Sequence, residues 1–155
     1  FLMHVNVGYP DRDAERRILR LTRDEVSPGH STKPAMLAQQ AIFAAREDVL
    51  NLHMAEPVEQ YIVELIIATR QPAEYSSLLS GWIEFGGSPR ATIALDRCAR
   101  AHAWLAGRDF VSPEDIQAIA PDVLRHRLIL NYEAEADGVT TDQVIKALLE
   151  RVAVP

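Results

Sequence analysis

Gly86-Gly87-Ser88-Pro89-Arg90-Ala91 is the stretch on which the reading of this chain turns. Ser88 is a good N-cap residue, and Pro89 at the first helical position costs nothing, because its missing N–H would be unpaired there anyway. The sequence therefore starts a helix at Pro89 and places Arg90 in its first turn. That is the positive end of the helix macrodipole, where a cation is disfavoured by roughly 0.3–1 kcal/mol unless it shares an anion. Unpaired N–H groups, a Gly-Gly entry free to adapt and an arginine together make a phosphate-receptive corner. The competing reading is an arginine that curls into solvent, and the rest of the chain weighs between the two.

Working outward, the Arg90 helix runs to about Ala106, with Ala91, Ala94, Leu95, Cys98, Ala101 and Leu105 as a small-residue stripe for close packing. Gly107 ends it in the C′ manner. Downstream, Ser112-Pro113-Glu114-Asp115 supplies a cap, a proline and acids for the next helix start. Pro121 is expected to interrupt that helix, with a short helical piece leading to His126 and an extended stretch over 127–131. Thr140-Thr141-Asp142-Gln143 has capping-box spacing for a last helix to about Val152. Upstream, residues 72–87 read as loop, with a short extended piece at Trp82–Phe85 pinned to the core by Trp82 and Phe85. A helix over about 57–70 precedes it, because Val58, Ile62, Leu65, Ile66 and Thr69 follow the 3.6-residue period. Another is expected from about Ala35 to Leu52, with Met36, Ala41, Ala44, Val49 and Leu52 inside.

The beginning has a different character. Phe1–Val7, which alternates apolar and polar residues from Met3 onward, reads as one strand without a partner nearby. A lone strand cannot satisfy its own backbone groups. We expect it to belong to a sheet that lies upstream, and in isolation to pair between copies or to be disordered. Gly8-Tyr9-Pro10 breaks it, and Asp11 caps a helix to about Glu25. That helix has Ile18, Leu19 and Leu21 on a partly apolar face and Arg12, Arg16, Arg17, Arg20 and Arg23 elsewhere. Residues 27–34, Ser-Pro-Gly-His-Ser-Thr-Lys-Pro, are loop by composition. The fold class that follows is mainly α, a bundle of five to six helices with one short N-terminal strand.

At 155 residues with 48% hydrophobic and 25% charged content, the chain can bury a core as one domain or a domain plus a fragment of another. A net charge of -6 argues against a nucleic-acid grip, although Arg90, Arg97 and Arg100 lie close together, as do Arg125, His126 and Arg127. The single cysteine, Cys98, excludes an internal disulfide and suits a reducing compartment. No apolar run is long enough to span a bilayer and no signal peptide is visible, so the expected setting is cytoplasmic.

Catalytic constellations are missing from this sequence. Neither lysine, Lys33 nor Lys146, follows a glycine, so there is no Gly-x-x-x-x-Gly-Lys-[Ser/Thr] loop. A Gly-x-Ser-x-Gly elbow and a His-Glu-x-x-His pair are also lacking. Cys98 and His102, four residues apart, could touch one metal, but two ligands do not make a zinc site. Glu133, Glu135 and Asp137 fit a solvated acidic turn better than a calcium loop.

A strand, Gly8-Tyr9-Pro10-Asp11, a helix, and then Ser88-Pro89-Arg90 at a later helix start resemble the end of an AAA+ ATPase core followed by its helical lid. Gly87–Arg97, Arg108–Ile116, Ala120–Leu128, Tyr132-Glu133-Ala134 and the helix from Val58 to Arg70 sharpen the resemblance to the MoxR family. It covers most of the chain and is most specific from 56 to 135.

The resemblance implies a lid-type bundle over 11–155, with residues 1–10 as the remnant strand and hinge of the ATPase core. It implies an ATPase that assembles as a ring, commonly hexameric, and acts like a chaperone on partner proteins. Arg90 matches the sensor-2 arginine that reaches the γ-phosphate of ATP, while Tyr9, Pro10 and Ile18 match positions bordering the adenine. ATP and Mg²⁺ are implied for the full-length protein and no cofactor for this stretch alone. The family's P-loop, magnesium-binding acid and arginine finger lie upstream of Phe1, so residues 1–155 are not expected to hydrolyse ATP unaided. The expected partners are the core domain of the same chain and neighbouring subunits, with the client protein unidentified and neither nucleic acid nor membrane involved. The alternatives are a free-standing helical module that binds a protein beside the Arg90 helix, or the lid of a magnesium-chelatase-type subunit.

Overall fold

The computed structural model describes residues 1–25 and 35–155, so the loop expected over 27–34 lies outside the described residues. Six helices longer than ten residues carry the architecture: α1 (Arg12–Glu25), α2 (Gln39–Asn51), α3 (Glu56–Arg70), α6 (Pro89–Leu105), α7 (Pro113–Leu124) and α9 (Thr141–Arg151). Between them lie three short helices, α4 (Pro72–Tyr75), α5 (Ser77–Ser80) and α8 (Tyr132–Ala136), and two strands, β1 (Ile83–Phe85) and β2 (Ile129–Leu130). The mainly helical class and the six longer helices agree with the sequence reading. No helix among the described residues is long and apolar enough to cross a membrane.

The core forms where α3, α6, α7 and α9 converge. Their periodic apolar residues, Leu65, Leu95, Ile116, Ile145 and Leu148 among them, are fully buried. Helix α6 contributes Ala91, Ala94, Ala99 and Ala103 to its buried face. Such short side chains let α7 approach closely, in line with the dense packing of protein interiors. The stripe differs from expectation at its far end: Ala101 is half-buried and Leu105 is 77% exposed. Gly107 ends α6 at φ 73°, a left-handed conformation that favours glycine.

Helix α7 begins on a reciprocal capping box, with Ser112 and Asp115 each satisfying the other's backbone. Contrary to expectation, Pro121 does not interrupt it; the helix continues to Leu124. Burial of Val123 and Leu124 in the core offsets the one backbone hydrogen bond that Pro121 removes. Asn131 caps α8, its Oδ1 accepting from the Ala134 N–H at 2.8 Å. The acidic turn around Glu133 and Glu135 is therefore solvated, as expected, but helical. Thr140 and Gln143 make the predicted capping box of α9.

β1 and β2 pair antiparallel, Ile83 opposite Leu130 and Phe85 opposite Ile129, with a register irregularity between them. The expected loop over 72–87 thus contains two one-turn helices and a strand. Trp82 packs on the core, but Phe85 is 59% exposed and pins nothing.

Two outer elements differ from expectation more strongly. Helix α2 buries no residue: Met36, Ala41 and Ala44 are exposed, Val49 is half-buried, and of the five residues expected inside only Leu52, just past the helix end, is buried. Helix α1 is capped by Asp11, whose Oδ1 accepts from the Ala14 N–H at 2.7 Å, yet it also buries nothing. The Phe1–Val7 stretch forms no strand. Instead of awaiting a second copy, it is held by its own body. The His4 N–H donates to the Asp122 carbonyl at 2.7 Å, and Arg125 Nη1 donates to the His4 carbonyl at 2.7 Å. Alternation of apolar and polar residues marks a segment able to pair but does not specify the partner, and here polar groups at the end of α7 supply one.

Asp115 is the most buried charge, 1% exposed, and the sequence marked it only as a helix-start acid. Its carboxylate receives two donors from Arg108, one of them at 2.6 Å, and the Ser112 N–H at 2.9 Å. His102 Nδ1 lies 2.6 Å from Oδ1. Burial opposes its charge, but the hydrogen bonds from Arg108, Ser112 and His102 overcome this and hold the carboxyl well below the usual carboxylate range. The stability it contributes is present above the unfolded-state pKa near ~4 and is lost as the pH falls below it. Asp115→Asn is expected to lower stability at neutral pH by about 2 kcal/mol, the scale of a lost hydrogen bond to a charged group, since the partly exposed Arg108 loses its carboxylate. It should also flatten the acid limb of stability below about pH 4. Urea denaturation across pH reads both effects.

Candidate functional site

The site is built on the junction between α3 and α6. At the end of α3, Thr69 Oγ1 donates to the Ile66 carbonyl at 2.7 Å and accepts from the Gly87 N–H at 2.9 Å. Arg70 Nε donates to the Gly87 carbonyl at 2.7 Å. Gly86 lies so close to Thr69 that a Cβ on it would sit 2.7 Å from Thr69 Oγ1 and closer still to the Thr69 carbonyl. The Gly-Gly entry expected to be adaptable is therefore a fixed joint. Glycine serves here for close backbone approach.

Past that joint, Pro89 occupies the first helical position of α6, and Ser88 is extended with φ -75° and ψ 170°. The Ser88 side chain makes no capping hydrogen bond, contrary to the sequence reading; only its carbonyl receives the Ala91 N–H, at 2.8 Å. The capping duty that the sequence assigns to Ser88 is thus not carried out. Arg90 is exposed and makes no hydrogen bond or ion pair among the described residues.

Arg90 lines an open groove of about 490 Å³. Ser88, Ile93 and Ala94 share the α6 wall with it, His126 and Arg127 come from the turn after α7, and Phe1 and Leu2 close one side. No acidic residue lines the groove among the described residues. Arg127 Nη2 donates to the Phe1 carbonyl at 2.7 Å and Nη1 to the Leu2 carbonyl at 3.1 Å, with a further bond to the Val123 carbonyl. Burial lowers the Arg127 pKa. Burial, reinforced by the neighbouring Arg127 and His4, also lowers that of His126.

The basic clusters read from the sequence divide once folded. Arg125 is occupied by Asp122 at 2.8 Å and Asp142 at 2.7 Å, and Arg100 by Asp96 at 2.8 Å. Arg97 and Arg100 edge a second, mostly apolar groove of about 730 Å³ between α2 and α6, lined by Ile42, Val49, Trp104 and Leu105. Of the other residues proposed to touch nucleotide, Tyr9 and Pro10 are exposed, Ile18 is 50% exposed, and none lines the Arg90 groove. Arg127 is the residue that sequence reasoning missed. Its only signal was membership of the Arg125-His126-Arg127 cluster.

This arrangement can hold an anion but offers no nucleophile with an adjacent base. Cys98 is buried, its thiol pushed up by that burial, and His102 is turned to Asp115. Among the described residues no group of three His, Cys, Asp or Glu could hold a metal ion.

Residues 78–148 of this helical bundle, the stretch that begins in α5 and runs into α9, match the AAA lid domain family. In this match and over its whole length the chain is similar to the lid portion of MoxR-type AAA+ ATPases. Over its whole length it is 36% identical to Chaperone MoxR1 of Mycobacterium tuberculosis, spanning 40% of that protein. It is 39% identical to Protein MoxR of Methylorubrum extorquens, spanning 48% of it. A solved structure of an ATPase from Cytophaga hutchinsonii superposes on the whole chain with a TM-score of 0.91 at 37% identity, this chain covering 47% of it. The chain thus spans less than half the length of the relatives it matches.

Proposed function

We propose that this chain is the sensor lid of a ring-forming, chaperone-like ATPase, and that Arg90 reads the γ-phosphate of ATP bound in the core domain. Residues 1–10 are the extended segment and hinge that join it to that core, and 11–155 are the lid. The observation that carries this reading is Arg90 itself. It is an exposed cation without a counter-ion among the described residues, in the first turn of a helix locked to α3 through Gly87. Such a group is free to take an anion brought from outside, and its place at the helix N-terminus favours one. Phosphoryl transfer needs positioned charge at the γ-phosphate, and a lid arginine supplies it when the lid closes. Hydrolysis removes the anchor, and the lid can then rotate and pass motion to the next subunit.

In this account Tyr9, Pro10 and Ile18 border the adenine and Mg²⁺ accompanies ATP in the core, while the setting is cytoplasmic. The half-exposed Ile18 and an α1 that buries nothing fit a helix that awaits the core. The test is phosphate release from ATP by the full-length protein beside residues 1–155 alone. Turnover confined to the full-length protein is the expected result. Turnover by residues 1–155 alone would overturn the reading.

The second reading, a helical module that binds a protein partner, is favoured by one observation, the mostly apolar groove between α2 and α6. A full-length protein that shows no ATP dependence at all would move the account to that groove.

A further inference from the structure

Arg127 differs from the three arginines that pair with acids around it. Arg100, Arg108 and Arg125 each hold a carboxylate. Arg127 holds none among the described residues and spends its donors on three neutral backbone carbonyls, those of Phe1, Leu2 and Val123. It does so on the wall of the groove that Arg90 also lines, where no acid among the described residues offsets either charge. A guanidinium that is partly buried, carries five donors and lacks a counter-charge is poised to exchange neutral acceptors for an anionic one. A phosphate offers the guanidinium an opposite charge that a neutral carbonyl lacks, and the planar fork matches phosphate geometry.

We infer that Arg127 is a second phosphate-binding residue of the Arg90 groove, and that it links the bound phosphate to the segment that precedes α1. This rests on the reading of the groove as the place where the nucleotide's phosphates meet the lid. With Arg90, Arg127 gives the groove two cations for the terminal phosphate, the group that ATP has and ADP lacks. When Arg127 turns to phosphate it releases the Phe1 and Leu2 carbonyls. Residue 4 stays tied to α7 through Arg125 and Asp122. Occupancy of the groove is thereby passed to the backbone leading into the lid. The competing role is purely structural, a staple that holds residues 1 and 2 to the end of α7.

The test uses the full-length protein and displacement of a fluorescent ATP analogue by ATPγS and by ADP, with Arg127→Ala, Arg127→Lys and Arg90→Ala. Arg127→Ala should weaken ATPγS about tenfold, the worth of one hydrogen-bonded charge, while changing ADP less than about twofold. Arg127→Lys should recover only part of the loss, because an ammonium lacks the fork. Thermal unfolding without nucleotide shows that each variant is folded. Equal weakening of ATPγS and ADP by Arg127→Ala would mean a structural staple and overturn the inference. So would unchanged ATPγS affinity in Arg127→Ala beside a loss in Arg90→Ala, and in that case the Arg90 reading would survive. Unchanged affinity in both variants would remove the phosphate reading of the groove itself, and the Arg127 inference with it.

Discussion

Arg90→Ala in the full-length protein is expected to lower ATP turnover by about a hundredfold or more, the scale of losing one positioned charge at a transferring phosphoryl group. The expectation follows from how the residue is held. Its helix cannot drift, because Gly87 is bonded at both its N–H and its carbonyl to the last residues of α3. The side chain itself is exposed and engages nothing among the described residues, so its removal leaves no orphaned partner. The fold should therefore survive with an unchanged or slightly raised melting temperature, since the mutation takes a cation away from a helix N-terminus. Steady-state turnover read beside thermal unfolding separates the two effects. A variant that turns over normally would leave Arg90 without a role in catalysis.

Gly86→Ala should produce the largest loss of stability. The added Cβ would collide with backbone atoms of Thr69, and backbone cannot swing aside as a flexible side chain could. Either the end of α3 or the start of α6 must move. Both are tied to the core through Ile66 and Ala91, which are fully buried. A destabilisation on the order of 3–4 kcal/mol is expected, at the upper end for overpacked sites. The bonds from Thr69 and Arg70 to Gly87 would be strained at the same time, so turnover should fall even where the variant folds. Gly107→Ala serves as a contrast. Nothing crowds that position, and its positive φ should cost only about 1 kcal/mol.

Much of this arrangement is legible in the sequence where the signal is local. The 3.6-residue period in Val58–Thr69, the small residues along α6 and the boxes at Ser112 and Thr140 each act over a few residues, and each structure forms where they place it. The position of Arg90 in the first turn of α6 is legible for the same reason, being set by Pro89 just before it. What escaped depends on partners far along the chain. The rigidity of Gly86-Gly87 comes from residues 69 and 70, and the placement of residues 1–4 comes from Arg125, Arg127 and Asp122. One-turn helices such as α4 and α5 are too short to show a period. Pro121 misled because its cost is set against burial of the residues after it, which the local sequence does not display. Helix α2 misled in the opposite direction, its apolar residues standing exposed around the α2–α6 groove.

The central claim is that the lid distinguishes nucleotides by their γ-phosphate through Arg90. The most direct measurement is the ratio of ATPγS to ADP affinity, by titration calorimetry, for the full-length protein and its Arg90→Ala variant. The account predicts a clear preference for ATPγS in the native protein that falls roughly tenfold or more in the variant, with ADP affinity nearly unchanged. An equal preference in both proteins would contradict it.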